Sequence, residues 1–414
     1  MNKQVRCRIH RGCHEIGGNC VEIEAGGKRI VLDIGLPLND ESDTELPDVP
    51  GFLSPDSDLL AVIISHPHPD HYGLLERVAE EVPVYMGAAA RRIIDVSGFF
   101  TPLPTLGDFE PLPYSSGEPM ELGPFRITPF LIDHSAYDSH CFLIEVCGKK
   151  IFYSGDIRAH GRKSHLFDEF VADPPVGIDV LICEGTQIGR DPDFAFPDED
   201  AVTVAMAEHF RAAKGMGLVW CSSQNIDRVV SVFEAAKASG RKLIIDMYTA
   251  EVLRATGAND VPIPGQEDVL VYLPFSQKSL IKRQQAFEIP KPYYPHRIYP
   301  ETLADVASSS VMIFRPSMLR DLKAAKCLDG AVLVSSVWAG YLPKERERID
   351  EMKNLGVTHH HVHTSGHATV DELKRFVGAF LGSRIVPIHL EDRDGFVLLS
   401  PMVELKNDHE WWGV

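Results

Sequence analysis

The chain has 414 residues, 44% hydrophobic and 24% charged, which is ordinary globular usage and enough length for a large buried core in more than one domain. A disordered chain and a disulfide-stapled miniature are excluded, and a formal net charge of −18 argues against a general polyanion binder. The eight cysteines contain no CxxC pair, no apolar run approaches the roughly 20 residues of a membrane span, and Met1 to Gly12 has no signal-peptide character. Reduced thiols, no membrane contact and a cytoplasmic location are therefore expected.

The first 160 residues read as short strands between turns. Val21 to Glu24 and Arg29 to Asp33 flank the Gly26-Gly27 turn as a hairpin would, and the apolar run Leu59 to Ser65 reads as a buried strand. From Asp70 the apolar positions Tyr72, Leu75, Val78 and Ala79 have helical spacing, so the polar stretch His66 to His71 falls on a strand-to-helix loop. Further strands are predicted at Phe125 to Ile132, Cys141 to Val146, Lys150 to Ser154 and Val180 to Cys183. From about residue 188 helices alternate with strands. Helices are predicted at Asp198 to Lys214 and Ile226 to Ser239, with strands at Gly217 to Cys221, Lys242 to Asp246 and Val332 to Val337. That alternation argues for a parallel α/β insert. A strand at His361 to Thr364, a helix at Thr369 to Phe380 and a strand at Arg384 to His389 follow.

The chemistry is concentrated in Ser65-His66-Pro67-His68-Pro69-Asp70-His71, an HxHxDH pattern with four potential ligands in six residues. Imidazole nitrogens and a carboxylate oxygen suit Zn²⁺ or Mn²⁺, and residues leaving one strand end can converge on two adjacent ions. The split assigns His66 and His68 to one metal and Asp70 and His71 to the other. The plainer account is a polar surface loop, but the apolar strand before it and the helical pattern after it favour the metal reading. Further ligands must come from elsewhere. His134, Asp156 and His389 each follow a predicted strand.

Taken together and in this order, these residues resemble the metallo-β-lactamase fold, an αββα sandwich with a two-metal site at one edge. The resemblance implies that His134 completes the first site and His389 the second, that Asp156 bridges both ions, and that Asp33 supports the site without being a ligand. Cys183-Glu184-Gly185-Thr186, the α/β insert, His363-Thr364-Ser365-Gly366-His367 and Pro387-Ile388-His389-Leu390-Glu391 resemble the later motifs of the β-CASP nucleases, and of ribonuclease J most closely. Leu390 stands where that group usually has glycine. The implied architecture is a metallo-β-lactamase domain formed by residues 1–188 and 351–414 around a β-CASP-like α/β insert at 189–350.

The implied activity is a metal-dependent hydrolase with two divalent ions, Zn or Mn, cutting phosphodiester bonds in single-stranded RNA; the resemblance also admits a homodimer. Asp70 is expected to act in catalysis as a ligand. His367 is expected to give a proton to the leaving oxygen or to bind the phosphate, with Glu184 accepting its other N–H. Arg158, Ser222, Ser223, Ser365 and Gly366 are candidate substrate contacts, although Ser222 to Asn225 can equally form a helix N-cap. His359, His360 and His361 point to alternating faces of a strand and are expected to pack or be solvated. The bases and rings interleaved from Lys278 to Tyr299 fit either a single-strand contact or an internal packing surface. A DNA nuclease of the same architecture and a metallo-hydrolase of a small ester or thioester are the alternatives; a catalytically silent scaffold is disfavoured because every expected ligand type is present.

Overall fold

The computed structural model describes residues 4–38, 44–190, 196–265 and 268–414, and the chain divides into two compact units, 1–192 with 366–414, and 193–365. In the first unit, one seven-stranded sheet runs in the order Trp411–Gly413, Val5–Arg11, Cys20–Ala25, Lys28–Leu32, Leu59–Ile63, Val84–Gly87, Leu112–Tyr114. A six-stranded sheet runs Arg384–Ile388, Val180–Glu184, Lys149–Tyr153, His140–Val146, Phe125–Leu131, Met120–Leu122. Alternate residues of both sheets, among them Ile9, Ile23, Ile30 and Ile63 from one and Ile127, Phe142, Ile144 and Ile182 from the other, form a single fully buried core. The period-2 pattern sends the remaining side chains outward, where each sheet is covered by helices.

Ile94 from the helix Ala88–Phe100 covers Val62 and Val84 on the first sheet. On the second, Phe167 and Phe170 from the helix Ser164–Ala172 meet Phe376 from the helix Val370–Ala379. The rings of Phe170 and Phe376 stack at 5.7 Å and those of Phe152 and Phe380 lie 5.0 Å apart. Each such buried ring contributes about 2–3 kcal/mol. The result is the αββα sandwich expected from the sequence.

The second unit is a seven-stranded, wholly parallel sheet in the order Arg297–Ile298, Val269–Tyr272, Lys242–Asp246, Ser310–Ile313, Gly217–Trp220, Val332–Ser335, Thr358–His361. Near-continuous apolar strands such as Lys242–Asp246 suit a sheet buried on both faces. Two expectations change here. The strand expected at His361 to Thr364 instead occupies Thr358–His361, paired in register with Val332–Ser335. Because that strand completes this sheet, residues 351–365 lie in the second unit and not with the first domain. Along it, His359 Nε2 meets Ser335 Oγ at 2.9 Å and His361 Nε2 meets the Val337 carbonyl at 2.8 Å, while His360 stacks on His209, so these histidines do pack on alternating faces.

The helix expected from Asp70 is also shorter. It makes one turn, Pro69–Tyr72, followed by a 3₁₀ turn at Leu75–Arg77. Continuation requires the Leu74 N–H to reach the Asp70 carbonyl, but that carbonyl accepts from Asn19 N at 3.1 Å, and Leu74 N donates to Ile34 O at 3.1 Å. Tertiary hydrogen bonds have taken the partners that a helix needs. The same bonds clamp the ligand-rich loop: Ile34 N donates to His71 O at 2.8 Å and Leu36 N to Pro69 O at 3.0 Å. Gly35 is required there, because a Cβ would sit 1.6 Å from the Asp70 carbonyl oxygen.

Candidate metal centre

All the candidate ligands sit in the first unit, on loops that leave carboxyl ends of strands. The strand Leu59–Ile63 leads to His66, His68, Asp70 and His71, Phe125–Leu131 to His134, Lys149–Tyr153 to Asp156, Val180–Glu184 ends on Glu184, and Arg384–Ile388 leads to His389. Ligand-type atoms gather in three overlapping sets, each within 4.8 Å: His66, His68, His134 and Asp156; Asp70, His71 and His389; and Asp156, Glu184, His367 and His389. His66 and His68 fall together in the first set, and Asp70 and His71 in the second.

Asp156 lies at the middle. Its Oδ2 is 3.2 Å from His71 Nε2, 3.6 Å from His66 Nε2, 3.7 Å from His367 Nδ1 and 3.8 Å from His134 Nε2, and its Oδ1 is 3.9 Å from His389 Nδ1. Both carboxylate oxygens are buried and lack a hydrogen-bond partner, as are His66 Nε2 and His71 Nε2. Unpaired buried polar atoms cost about 1–3 kcal/mol each, and more when charged, so their concentration at one point is the signature of a cation site. The donor set of imidazoles and carboxylates fits divalent ions of the zinc or manganese type.

The electrostatics agree at the imidazoles of the first set. Desolvation, reinforced by the neighbouring imidazoles, holds His66 and His134 well below the usual histidine range and lowers His68 to about 4, so these rings are neutral and present lone pairs. Burial acts on His71 in the same direction but is outweighed by Asp156 and Asp33, which raise it. For His367, burial is outweighed by Glu184 and Asp156, and the ring is raised to about 8.

A second layer orients the rings. His71 Nδ1–H donates to Asp33 Oδ2 at 2.7 Å, turning Nε2 toward Asp156. Ser65 Oγ–H and Tyr153 Oη–H donate to the same oxygen at 2.8 and 2.7 Å, and Ser65 Oγ is 3.0 Å from His66 Nδ1. Asp33 and His389 both adopt left-handed backbone, φ 58° and 57°, a strain that these contacts hold in place. Glu184 Oε1 lies 3.3 Å from His367 Nδ1 and accepts from Ile157 N at 2.9 Å, while Oε2 accepts from Thr186 N at 3.1 Å.

Thr186 Oγ1 meets His389 Nδ1 at 2.8 Å, leaving Nε2 to face Asp70 at 3.2 Å. Thr186→Val, which keeps shape and removes that bond, should lower metal affinity about 10–100-fold. Competition with a chromogenic chelator checks this, and Thr186→Ser should restore most of the loss. Wild-type affinity in the valine variant would remove Thr186 from the site.

The candidate substrate contacts fare differently. Arg158 is fully buried, with Nε donating to Asp133 Oδ1 at 3.3 Å; Gly161 N donates to Asp133 Oδ2 at 2.7 Å. It joins the loops carrying His134 and Asp156 and offers no surface to a substrate, so its expected role is corrected to a structural one. Ser223 is buried too, bonded to Thr249 Oγ1 at 2.6 Å and to Arg315. Ser222 is exposed, with Oγ accepting from Gln224 N at 3.2 Å, and Asn225 caps its helix by accepting from Arg228 N at 3.0 Å, as the N-cap reading expects. Ser222, Ser223 and Ser365 belong to the second unit and Gly366 to the first, where a Cβ on Gly366 would meet Ser135 Oγ at 2.5 Å.

Sequence reasoning gave no role to Thr186, Ser65, Tyr153 or Asp133. The first two lie inside quoted motifs; Tyr153 and Asp133 precede ligands by three residues and one, a proximity that carries no direction until the fold is known.

Residues 29–219 match the Beta-lactamase superfamily domain. Ribonuclease J of Mycobacterium tuberculosis is 25% identical over 252 residues, 56% of this chain and 42% of that protein, so the chain's match spans about two fifths of that relative's length. Ribonuclease J of Mycolicibacterium smegmatis is 23% identical over 399 residues, 91% of this chain and 67% of that one, and ribonuclease J 2 of Staphylococcus saprophyticus is 21% identical over 416 residues, 94% and 70%. A crystal structure of a protein of unknown function from Enterococcus faecalis superposes with a TM-score of 0.81 at 19% identity, covering 99% of this chain and 100% of that one. The sandwich, the ligand sets around Asp156 and these similarities agree: over residues 29–219 the chain is similar to the Beta-lactamase superfamily domain, and over most of its length it is similar to proteins named ribonuclease J.

Proposed function

We propose that this chain is a phosphodiester hydrolase that uses two divalent ions, zinc or manganese, to cut single-stranded RNA in the cytoplasm. The observation that carries the reading is Asp156, whose two buried, unpaired oxygens lie between one set of imidazoles and another. His66, His68 and His134 would hold one ion, Asp70, His71 and His389 the other, with Asp156 shared. When bound, such a pair lowers the pKa of water and neutralises charge on a scissile phosphate.

The protein's own part is positioning and proton handling. Asp33, Ser65 and Thr186 fix the ring orientations through the bonds described above. Glu184 holds the Nδ1 edge of His367, and the opposite edge, Nε2, is assigned to the leaving oxygen or to a non-bridging phosphate oxygen. The relatives named ribonuclease J support RNA as the substrate class.

The test is cleavage of 5′-labelled single-stranded RNA and matched DNA with Mn²⁺ or Zn²⁺, beside an Asp70→Ala/His71→Ala variant. Metal-dependent loss of RNA in the wild type alone is expected, and the product ladder separates endonuclease from exonuclease. Cleavage of DNA in preference to RNA, or of neither polymer by protein loaded with two ions, overturns the reading.

A further inference from the structure

We propose that the second unit carries a docking surface for single-stranded RNA at the segment 275–299, apart from the residues that would hold metal. This extends the nuclease reading and rests on it only for the choice of polymer. In a chain with 59 acidic and 41 basic residues, this stretch holds Lys278, Lys282, Arg283, Lys291 and Arg297 against the single carboxylate Glu288. A net charge of +4, opposite in sign to that of the whole protein, is thus gathered in 25 residues of sequence, 275 to 299.

The structure turns that stretch outward. The helix Phe275–Arg283 buries Gln277 and Ile281, one turn apart, so the opposite face presents Phe275, Lys278 and Lys282 at helical spacing i, i+3, i+7. Lys278, Lys282 and Arg283 are exposed and, among the described residues, have no ion pair, whereas Lys291 is engaged by Glu288 at 2.7 Å. The rings stand out as well: Phe275 is 66% exposed, Phe287 53%, Tyr294 52% and Tyr299 48%. Only Tyr293 turns inward, its hydroxyl donating to Glu251 Oε1 at 2.6 Å, which anchors the segment.

The sheet brings the two ends of the segment together. Val269–Tyr272 and Arg297–Ile298 are parallel neighbours with Tyr272 opposite Ile298. Phe275, three residues beyond Tyr272, and Tyr299, one beyond Ile298, therefore leave the same end of the sheet. There the Arg297 guanidinium lies 5.1 Å from the Tyr299 ring centre, a cation beside an aromatic face. Unpaired cations interleaved with exposed rings match a strand whose phosphates are free to pair with them and whose unpaired bases can stack. A duplex would leave the rings without partners, and an apolar protein partner would leave the cations without theirs.

The experiment uses the metal-loaded protein and a fluorescent phosphorothioate oligouridylate, with binding followed by anisotropy between 50 and 300 mM salt. Lys278→Glu/Lys282→Glu/Arg283→Glu should weaken binding at least about tenfold and lower the slope of log affinity against log salt by about 2, the value for three lost phosphate contacts on a single strand. Phe275→Ala/Tyr294→Ala should weaken binding about tenfold with the slope unchanged. Hydrolysis of bis(p-nitrophenyl) phosphate should be unaltered in both. Unchanged affinity and slope in the charge variant, equal loss of duplex binding, or tighter binding of a polyglutamate peptide than of oligouridylate each overturns the proposal. If the wild type binds and the variants lose binding, but the wild type cuts no RNA, the docking surface stands and the nuclease reading falls.

Discussion

Asp156→Asn is expected to fold and to lose both of the ions proposed above. The amide keeps the shape of the side chain but has no charge to set against two cations, and one of its two ligand oxygens becomes an NH₂ that cannot coordinate. Five imidazoles lie within 3.9 Å of that carboxylate, so no other acidic group can take its place without moving the loops that carry them. A loss of at least about 100-fold in metal affinity follows, above the 10–100-fold that substitution of a supporting residue costs. The stability readout is independent of activity. At metal concentrations about a thousandfold above the dissociation constant, binding stabilises the native state by about 4 kcal/mol, so chelation should lower the wild-type melting temperature by several degrees. In Asp156→Asn, chelator should have no effect. Two tightly held ions in the purified variant, by elemental analysis, would show that Asp156 is not the shared ligand.

How far the sequence reveals this centre depends on the kind of contact. The HxHxDH loop is legible because its candidate ligands are close in sequence and follow an apolar run that reads as a buried strand. His134, Asp156 and His389 are legible as residues just past strands, but their convergence depends on which strands are neighbours. Val180–Glu184 pairs with both Lys149–Tyr153 and Arg384–Ile388, and that pairing sets Asp156 and His389 beside Glu184. Periodicity cannot supply that order. The same limit explains the helix predicted from Asp70: Tyr72, Leu75 and Val78 are all buried, as a helical face would be, yet the Asp70 carbonyl is held by Asn19, which is 51 residues away in sequence. Arg158 fails for a related reason. Its neighbours in sequence read as a basic loop, but the guanidinium is drawn inside by Asp133, and only the absence of a side chain at Gly161 leaves room for it: a Cβ there would lie 2.4 Å from both Arg158 Nη2 and Asp133 Oδ1.

Glu22→Gln should cost about 3–5 kcal/mol of folding stability, at a residue that itself has no proposed part in chemistry. Glu22 is fully buried on the strand Cys20–Ala25, directly opposite Arg8 in the antiparallel ladder. Its Oε2 accepts from Arg8 Nη2 at 2.8 Å and lies 2.9 Å from His10 Nε2, and its Oε1 accepts from Arg29 Nη1 at 2.9 Å. The amide would leave two desolvated guanidinium groups with one remaining carboxylate between them, Asp56, which holds only Arg29. Burial alone would raise the Glu22 pKa, but the bonds from His10, Arg29 and Arg8 outweigh it and lower the carboxyl from 4.5 to about 2. A group depressed on folding stabilises the native state above its unfolded pKa and loses that contribution as pH falls through the folded value. The stabilisation, about 3 kcal/mol, is therefore complete above pH 4.5 and declines between 4.5 and about 2. Denaturant midpoints measured across that window should fall more steeply in the wild type than in Glu22→Gln, which has no proton to gain. Parallel acid limbs, or a loss below about 1 kcal/mol at pH 7, would mean that water or a repacked strand already satisfies the two arginines.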